Sequence, residues 1–364
     1  MFKSIGSKLI LSVLLSVIAG LVIMIAIISY QVSSNMEKDA ENTISIASKR
    51  YVNYMEATLN EPFMLSKALG IGIQKIIDED GQININILEH LIEETLDSSV
   101  HTTYAFAYIK DTSILSGNKD KYIHNGILSV VYNDSSPGIA GGIKTLIQKE
   151  SLYNKIPVIP KIENNVLNGQ QNIVFGSAAR LNYGNGEFLG INLGIPIFNQ
   201  KGLFVGVIGF SLEFSEMTKT LLDPSLNFNE GDQRLLLTDD GTFVIHENPK
   251  ALLQKINEYN HSPSVIPILS AIKEHKNLLV DNFHTSTGLM SYASVVSFST
   301  LENSSHWSIL VTTPKNSVLK PLYKLQFLII TIAIIFLIII SVIVYFCIKY
   351  MVSSKIDSIF KSLQ

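Results

Sequence analysis

Two stretches of this chain carry no charged residue, and each is long enough to cross a bilayer. They are "LILSVLLSVIAGLVIMIAIISY" (residues 9–30) and "LQFLIITIAIIFLIIISVIVYFCI" (residues 325–348). A helix needs roughly 20 apolar residues to span hydrocarbon, and both runs exceed that. The first does not have the shape of a cleaved leader. Its apolar core is longer than the usual 7–15 or so residues, and no small-x-small cleavage pattern follows it. Both therefore read as retained transmembrane helices, which makes the lipid bilayer the first partner.

Two spans place residues 31–324 on one side and the tails, 1–8 and 349–364, on the other. Lys3, Lys8, Lys349 and Lys355 flank the outer ends, but Lys38, Lys320 and Lys324 flank the inner ones, so positive charge does not orient the chain. Size does: a folded segment of about 290 residues between short tails reads as an exported module. The expectation is a multi-pass protein of a bacterial inner membrane with a large periplasmic domain. The only cysteine, Cys347, lies in the second span, so an oxidising compartment meets no thiol in that domain.

After the first span, Met36, Ala40, Ile44, Ala47, Tyr51 and Tyr54 recur at helical spacing, with charges between them. Residues 31–100 are read as a stalk or dimer helix, kinked at Pro62, followed by a shorter helix at "NINILEHLIEETLDSS". From residue 102 the period changes. "TTYAFAYIK", "GILSVVY", "NIVFGSAARLNY", "FLGINLGIPIF" and "LFVGVIGFSLEF" are β-rich runs separated by turn-forming "SGNKDK", "NDSSPGIAGG", "GNGE" and "NQKG". "SEMTKTLLD" reads as a connecting helix capped by Ser215. A second set follows: "RLLLTDD", "TFVIHEN", "LLVDNFH", "LMSYASVV" and "WSILVTT", with "DDG" as a hairpin turn and a short helix at "NPKALLQKI". The fold class is α+β, with antiparallel-sheet units at 101–215 and 216–324 standing on a long N-terminal helix between two transmembrane helices.

The pattern strand, proline, polar turn, glycine, glycine-bearing strand in "LGIPIFNQKGLFVGVIGFSL" resembles the hallmark of extracellular Cache (PAS-like) sensor domains. "LLLTDDGTFVIHENPKALLQK" resembles the opening of a membrane-proximal Cache unit. "YASVVSFSTLENSSHWSILVTTPKNSVLKPL" resembles its closing strands, including Trp307 and Pro314. The resemblance spans residues 33–324 and is to the double-Cache region of methyl-accepting chemotaxis receptors. It implies a transmembrane chemoreceptor, not an enzyme, that acts as a homodimer on a coupling protein and kinase. "KYMVSSKIDSIFKSLQ" would then begin the cytoplasmic signalling region. The alternatives are the input module of a sensor histidine kinase or diguanylate cyclase, and a receptor that senses through a periplasmic binding protein.

Enzyme and metal motifs are weak. His246-Glu247 is not part of HExxH, and the eight histidines include no i, i+4 pair, so neither a metal nor a cofactor is expected. Gly184, Gly186 and Gly190 miss dinucleotide-loop spacing. No Lys-Ser/Thr follows Gly138, Gly141 and Gly142. The net charge of −3 offers no basic footprint for nucleic acid.

Amino-acid-binding relatives of the resembled family carry Arg-x-Trp-Tyr on a covering segment, a Tyr/Asp pair on the third strand and a late Asp on the last. Here "KESLYNKIP" keeps only Tyr153, the strand pair falls near Arg180 and Asn182, and the late Asp falls on Ser211. A buried ammonium without a counter-charge costs several kcal/mol. The distal unit is therefore expected to take a small carboxylate of hydroxy- or keto-acid type, with Arg180 as a bidentate anchor and Ser211 beside a ligand hydroxyl. Tyr132 and Asp134 are candidates for its rim, and "NDSSPG" also suits Asp134 to a turn. His246, His284 and Tyr292 are candidates for a second pocket in the proximal unit.

Overall fold

A computed structural model describes residues 5–118, 122–148, 151–347 and 350. The candidate tail segment after the second span lies outside these residues, except for Tyr350. The chain divides into two compact units: residues 1–43 with 314–364, and residues 44–313.

The first unit holds the apolar helices. Helix α1, Ile5–Asp80, passes through Pro62 without a break. The helix continues through this proline, which withholds one N–H from the carbonyl four residues back. Helix α7, Lys315–Cys347, is the second element long and apolar enough to cross a membrane.

The second unit begins with the rest of α1. Strand β1 (Ile83–Asn84) leads into α2 (Ile85–Asp97), whose first turn is capped by the Asn84 side chain bonding Asn86 N at 2.9 Å. Next come β2 (Tyr104–Ile109), β3 (Leu115–Ser116), β4 (Ile123–His124), β5 (Ile127–Asn133) and β6 (Lys144–Ile147). Then follow α3 (Val158–Leu167), β7 (Val174–Phe175), β8 (Ala179–Asn182), β9 (Glu187–Phe198) and β10 (Phe204–Glu213). The distal antiparallel sheet runs β4-β5-β2-β10-β9-β7, with β6 on β5 and β8 on β9. One face packs on α1, where Phe63 and Phe175 lie 6.4 Å apart. The other is covered by α3 and the segment from Leu152 to Ile156, over a core that includes Phe106, Val131, Ile159, Ile162 and Val207.

Helix α4 (Ser215–Leu221) connects to the proximal unit. Its N-cap is Phe214, so Ser215 is its first helical residue rather than the cap. The proximal elements are β11 (Gln233–Thr238), β12 (Phe243–Ile245), α5 (Ile256–Tyr259), α6 (Val265–Lys273), β13 (Leu278–His284), β14 (Met290–Ser299) and β15 (His306–Pro314). They form a five-stranded sheet of order β12-β11-β15-β14-β13. The expected helix at residues 248–256 is a short 3-10 turn at Pro249–Ala251 followed by α5. Each sheet thus carries, on one of its faces, an apolar cup under a helix.

Candidate functional site

Directly opposite residues on antiparallel strands share a face. Ser211 on β10 stands opposite Asn192 on β9 and Tyr104 on β2. Tyr104 belongs to the core beneath α3, so all three point into the distal cup. Ser211 is fully buried. Its hydroxyl donates to Asn192 Oδ1 at 2.5 Å, and the Tyr183 hydroxyl donates to the same oxygen at 2.8 Å. The two hydroxyl oxygens are 2.9 Å apart. Two protons therefore serve three close oxygen contacts. Burial pushes the Tyr183 phenol well up, against the opposing effect of the Ser211 bond, so it stays protonated at any ordinary pH.

Aromatic rings close the cup above this cluster. Tyr104 stacks on Phe188 at 4.8 Å, and Tyr183 meets both edge-on, at 5.1 and 5.6 Å. Asn185 Nδ2 donates to the Tyr104 hydroxyl at 3.0 Å. On the covering segment the Tyr153 ring lies 5.9 Å from Tyr108. Its phenol is pushed up by its hydrogen bond to the Glu163 carboxylate, which also pairs with Lys110.

The structure brings Tyr153 and Ser211 to this cup but turns Arg180 and Asn182 away from it. Ala179 and Leu181 pack beneath α3, so Arg180 and Asn182, alternating with them, occupy the opposite face. Arg180 is exposed and pairs with Glu187 at 3.1 Å. Asn182 caps its own turn by accepting from Gly184 N at 2.8 Å. A register shift of one residue exchanges the faces of a strand, and the residue that does reach the floor is the next one, Tyr183.

Tyr132 alternates with the core residue Val131 and lies on the other face. There burial first, and the Glu89 carboxylate on α2 second, push its phenol far up. Asp134 is a turn former: its carboxylate accepts from Ser136 N at 2.8 Å, and its own N–H bonds the Thr103 carbonyl.

The proximal cup is filled by its own core, which includes Leu235, Phe243, Ile268, Phe283, Ala293 and Leu310. What remains is a cavity of about 20 Å³, room for about one water molecule. His246 borders it, its Nδ1 accepting from Asn248 N at 2.8 Å and its ring edge-on to Phe243 and Tyr259. His284 alternates with Phe283 and contributes backbone bonds to Ser264 and from Asn260. Tyr292 alternates with Ala293 and is buried on the sheet's other face. Of the three, only His246 reaches the cavity wall.

Burial lowers the His246 imidazole from 6.5 to about 4. The unfolded chain takes up a proton below its own pKa that the folded chain refuses. The contribution of this group to stability is therefore fully present above pH 6.5 and is lost as the pH drops toward 4, on the order of 1–3 kcal/mol in all. Urea unfolding across this range should show that slope. His246→Gln, which keeps an acceptor for Asn248, should flatten it. An equal slope in the variant would assign the acid sensitivity to other groups.

The residues that sequence reasoning missed are Tyr183, Asn192, Tyr104 and Phe188. Asn192 had a visible signal, being a single polar residue in the apolar run "FLGINLGIPIF". No protein-family model and no curated protein sequence matches the chain. Solved structures do match. The periplasmic sensory domain of the Campylobacter jejuni chemoreceptor Tlp1 is 26% identical, with a TM-score of 0.68 over 79% of this chain and 99% of that one. A methyl-accepting chemotaxis protein X is 11% identical, at 0.59 over 75% and 98%. The extracellular domain of a protein named as a histidine kinase, mmHK1S-Z3, is 12% identical, at 0.58 over 79% and 99%. Two of the three are named as sensory or extracellular domains, and each match extends over at least 75% of this chain. The segment between the two apolar helices has the fold of the periplasmic sensory domain of a chemoreceptor.

Proposed function

We propose that this chain is the sensing half of a two-pass, homodimeric chemotaxis receptor whose distal cup takes a small hydroxy- or keto-carboxylate. Binding would favour one of two closely balanced conformations, and α7 would carry that bias to a coupling protein and kinase across the membrane. Only a difference in affinity between the two states can do this, and a tenfold difference is worth about 1.4 kcal/mol.

The observation that supports the ligand class is the neutrality of the cup floor. Ser211, Asn192 and Tyr183 supply hydroxyl and amide groups where an ammonium would need carboxylates. With Arg180 on the other face and the Tyr183 and Tyr153 hydroxyl protons given to Asn192 Oδ1 and Glu163, the donor left for the ligand carboxylate is the Asn192 amide N–H group. Tyr104 and Phe188 must swing aside to admit it, which makes ring displacement part of the response.

The test is calorimetry on the full chain in lipid nanodiscs with lactate, pyruvate and single amino acids. A hydroxy or keto acid should bind, and Ser211→Ala or Tyr183→Phe should each weaken it by about tenfold. Tight amino-acid binding that disappears in Ser211→Ala would overturn the reading. The sensory-domain neighbour from a histidine kinase supports a second output, a sensor kinase using the same input. Phosphotransfer rather than methylation-dependent swimming bias would identify it.

A further inference from the structure

A larger cavity, of about 360 Å³, opens where the distal and proximal sheets meet. That volume lies in the usual range for small-molecule pockets, roughly 300–1,000 Å³. Its distal wall is Lys161 of α3 with Phe175–Ala178, and its proximal wall is the β11–β12 turn from Thr238 to Thr242 with Ser304–Trp307.

The walls carry opposite charge. Lys161 Nζ gives one proton to the Phe175 carbonyl at 2.8 Å and forms no ion pair among the described residues, so two of its protons stay free. Opposite it are two aspartates with different roles. Asp240 is committed. Burial, which raises its carboxyl, is outweighed by bonds from Thr238, Thr242 and Lys255 that hold it at about 2. Asp239, its neighbour, is exposed and has no ion pair among the described residues.

His306 adds a flat polar edge to the proximal wall. Burial first, and then His275 stacked on it at 4.0 Å, push the imidazole below its ordinary range. Asp239 pulls the other way, more weakly. Hydroxyls of Ser177, Ser304 and Ser305 line the space between, and the Trp307 indole N–H in the same region is buried without an acceptor among the described residues.

We propose that this junction is a second ligand site, for a small zwitterion whose anionic end meets Lys161 and whose cationic end meets Asp239. The site is separate from the distal cup and does not depend on what that cup binds. Because the two charged anchors belong to different sheets, an occupant holds them at one spacing, and a ligand lacking either charge loses one wall.

The full chain in nanodiscs is titrated calorimetrically with β-alanine, γ-aminobutyrate and δ-aminovalerate, and with butyrate and butylamine as single-charge controls. At least one zwitterion should bind, with the controls at least about tenfold weaker. Asp239→Asn and Lys161→Met should each weaken it by about tenfold or more, whereas Lys161→Arg retains binding. Asp239 is exposed, so its variant tests the site without disturbing a core. Ser211→Ala should leave this binding intact, which separates it from the distal cup. Absence of heat with every zwitterion, affinity unchanged in both charge variants, or loss in Ser211→Ala overturns the proposal.

Discussion

Gly209→Val should prevent the exported domain from folding, and Gly209→Ala should lower its melting temperature by roughly 6–12 °C. Gly209 on β10 stands opposite Gly194 on β9 and Phe106 on β2. A Cβ there would lie 2.0 Å from the Leu193 carbonyl oxygen and 2.8 Å from Phe106 Cζ. The first of these is backbone of a central strand, which cannot rotate away as a side chain can. Overpacking of this kind costs about 3 kcal/mol for one methyl group, and a branched side chain exceeds what a domain stable by about 5–15 kcal/mol can tolerate. Gly72 is the control. It lies in α1 with nothing within 4 Å of its notional Cβ, so Gly72→Ala should be neutral or stabilising by up to about 1 kcal/mol. Thermal unfolding of the three variants, followed by circular dichroism, decides it. A Gly209→Ala protein as stable as the parent would mean that β9 and β10 do not approach as described.

Arg234→Met should cost about 3 kcal/mol, and Arg234→Lys should recover little of it. Arg234 is buried, and its guanidinium donates to the Tyr51 hydroxyl at 3.3 Å, the Asp223 carbonyl at 2.8 Å and Asn227 Oδ1 at 2.7 Å. The same group lies 5.6 Å from the centre of the Tyr51 ring. One side chain on β11 thus ties α1 to the segment between the two sheets. Methionine fills much of the volume but leaves the Tyr51, Asp223 and Asn227 oxygens without their donor, the last two on an exposed segment. Lysine offers one point of charge where three directions are needed. Urea unfolding gives the energy, and hydrogen exchange along residues 44–60 and 223–227 shows where the loss falls. Loss of protection confined to the loop, with α1 unchanged, would show that the guanidinium does not tie the two together.

Much of the layered plan is readable from periodicity, because the strands are long, apolar and punctuated by glycine-rich turns. Helices α3 and α6 are harder to see. Each has a proline at its third residue, Pro160 and Pro267. Such a proline reads as a breaker in an apolar run, yet in a first turn its missing N–H has no intrahelical partner to lose.

The site divides in the same way. Ser211 stands out because a hydroxyl in an apolar strand needs a partner, and Asn192 carries the same signal one strand away. Arg180 shows the limit. Its strand lies beside a turn whose length sets the pairing, and sequence does not fix that turn to one residue. A charged side chain in place of its aromatic neighbour changes the whole chemistry inferred for a pocket. His246 is a different case, since a buried imidazole and a binding imidazole look the same until Asn248 is seen occupying one nitrogen.

Three oxygens at the bottom of the distal cup share only two hydrogens, and that shortage discriminates among guests. An alcohol arriving beside Ser211 brings the missing hydrogen and completes the ring; a ketone brings only more lone pairs to a place already crowded with them. For the small acid proposed above, this favours the hydroxy form over the keto form.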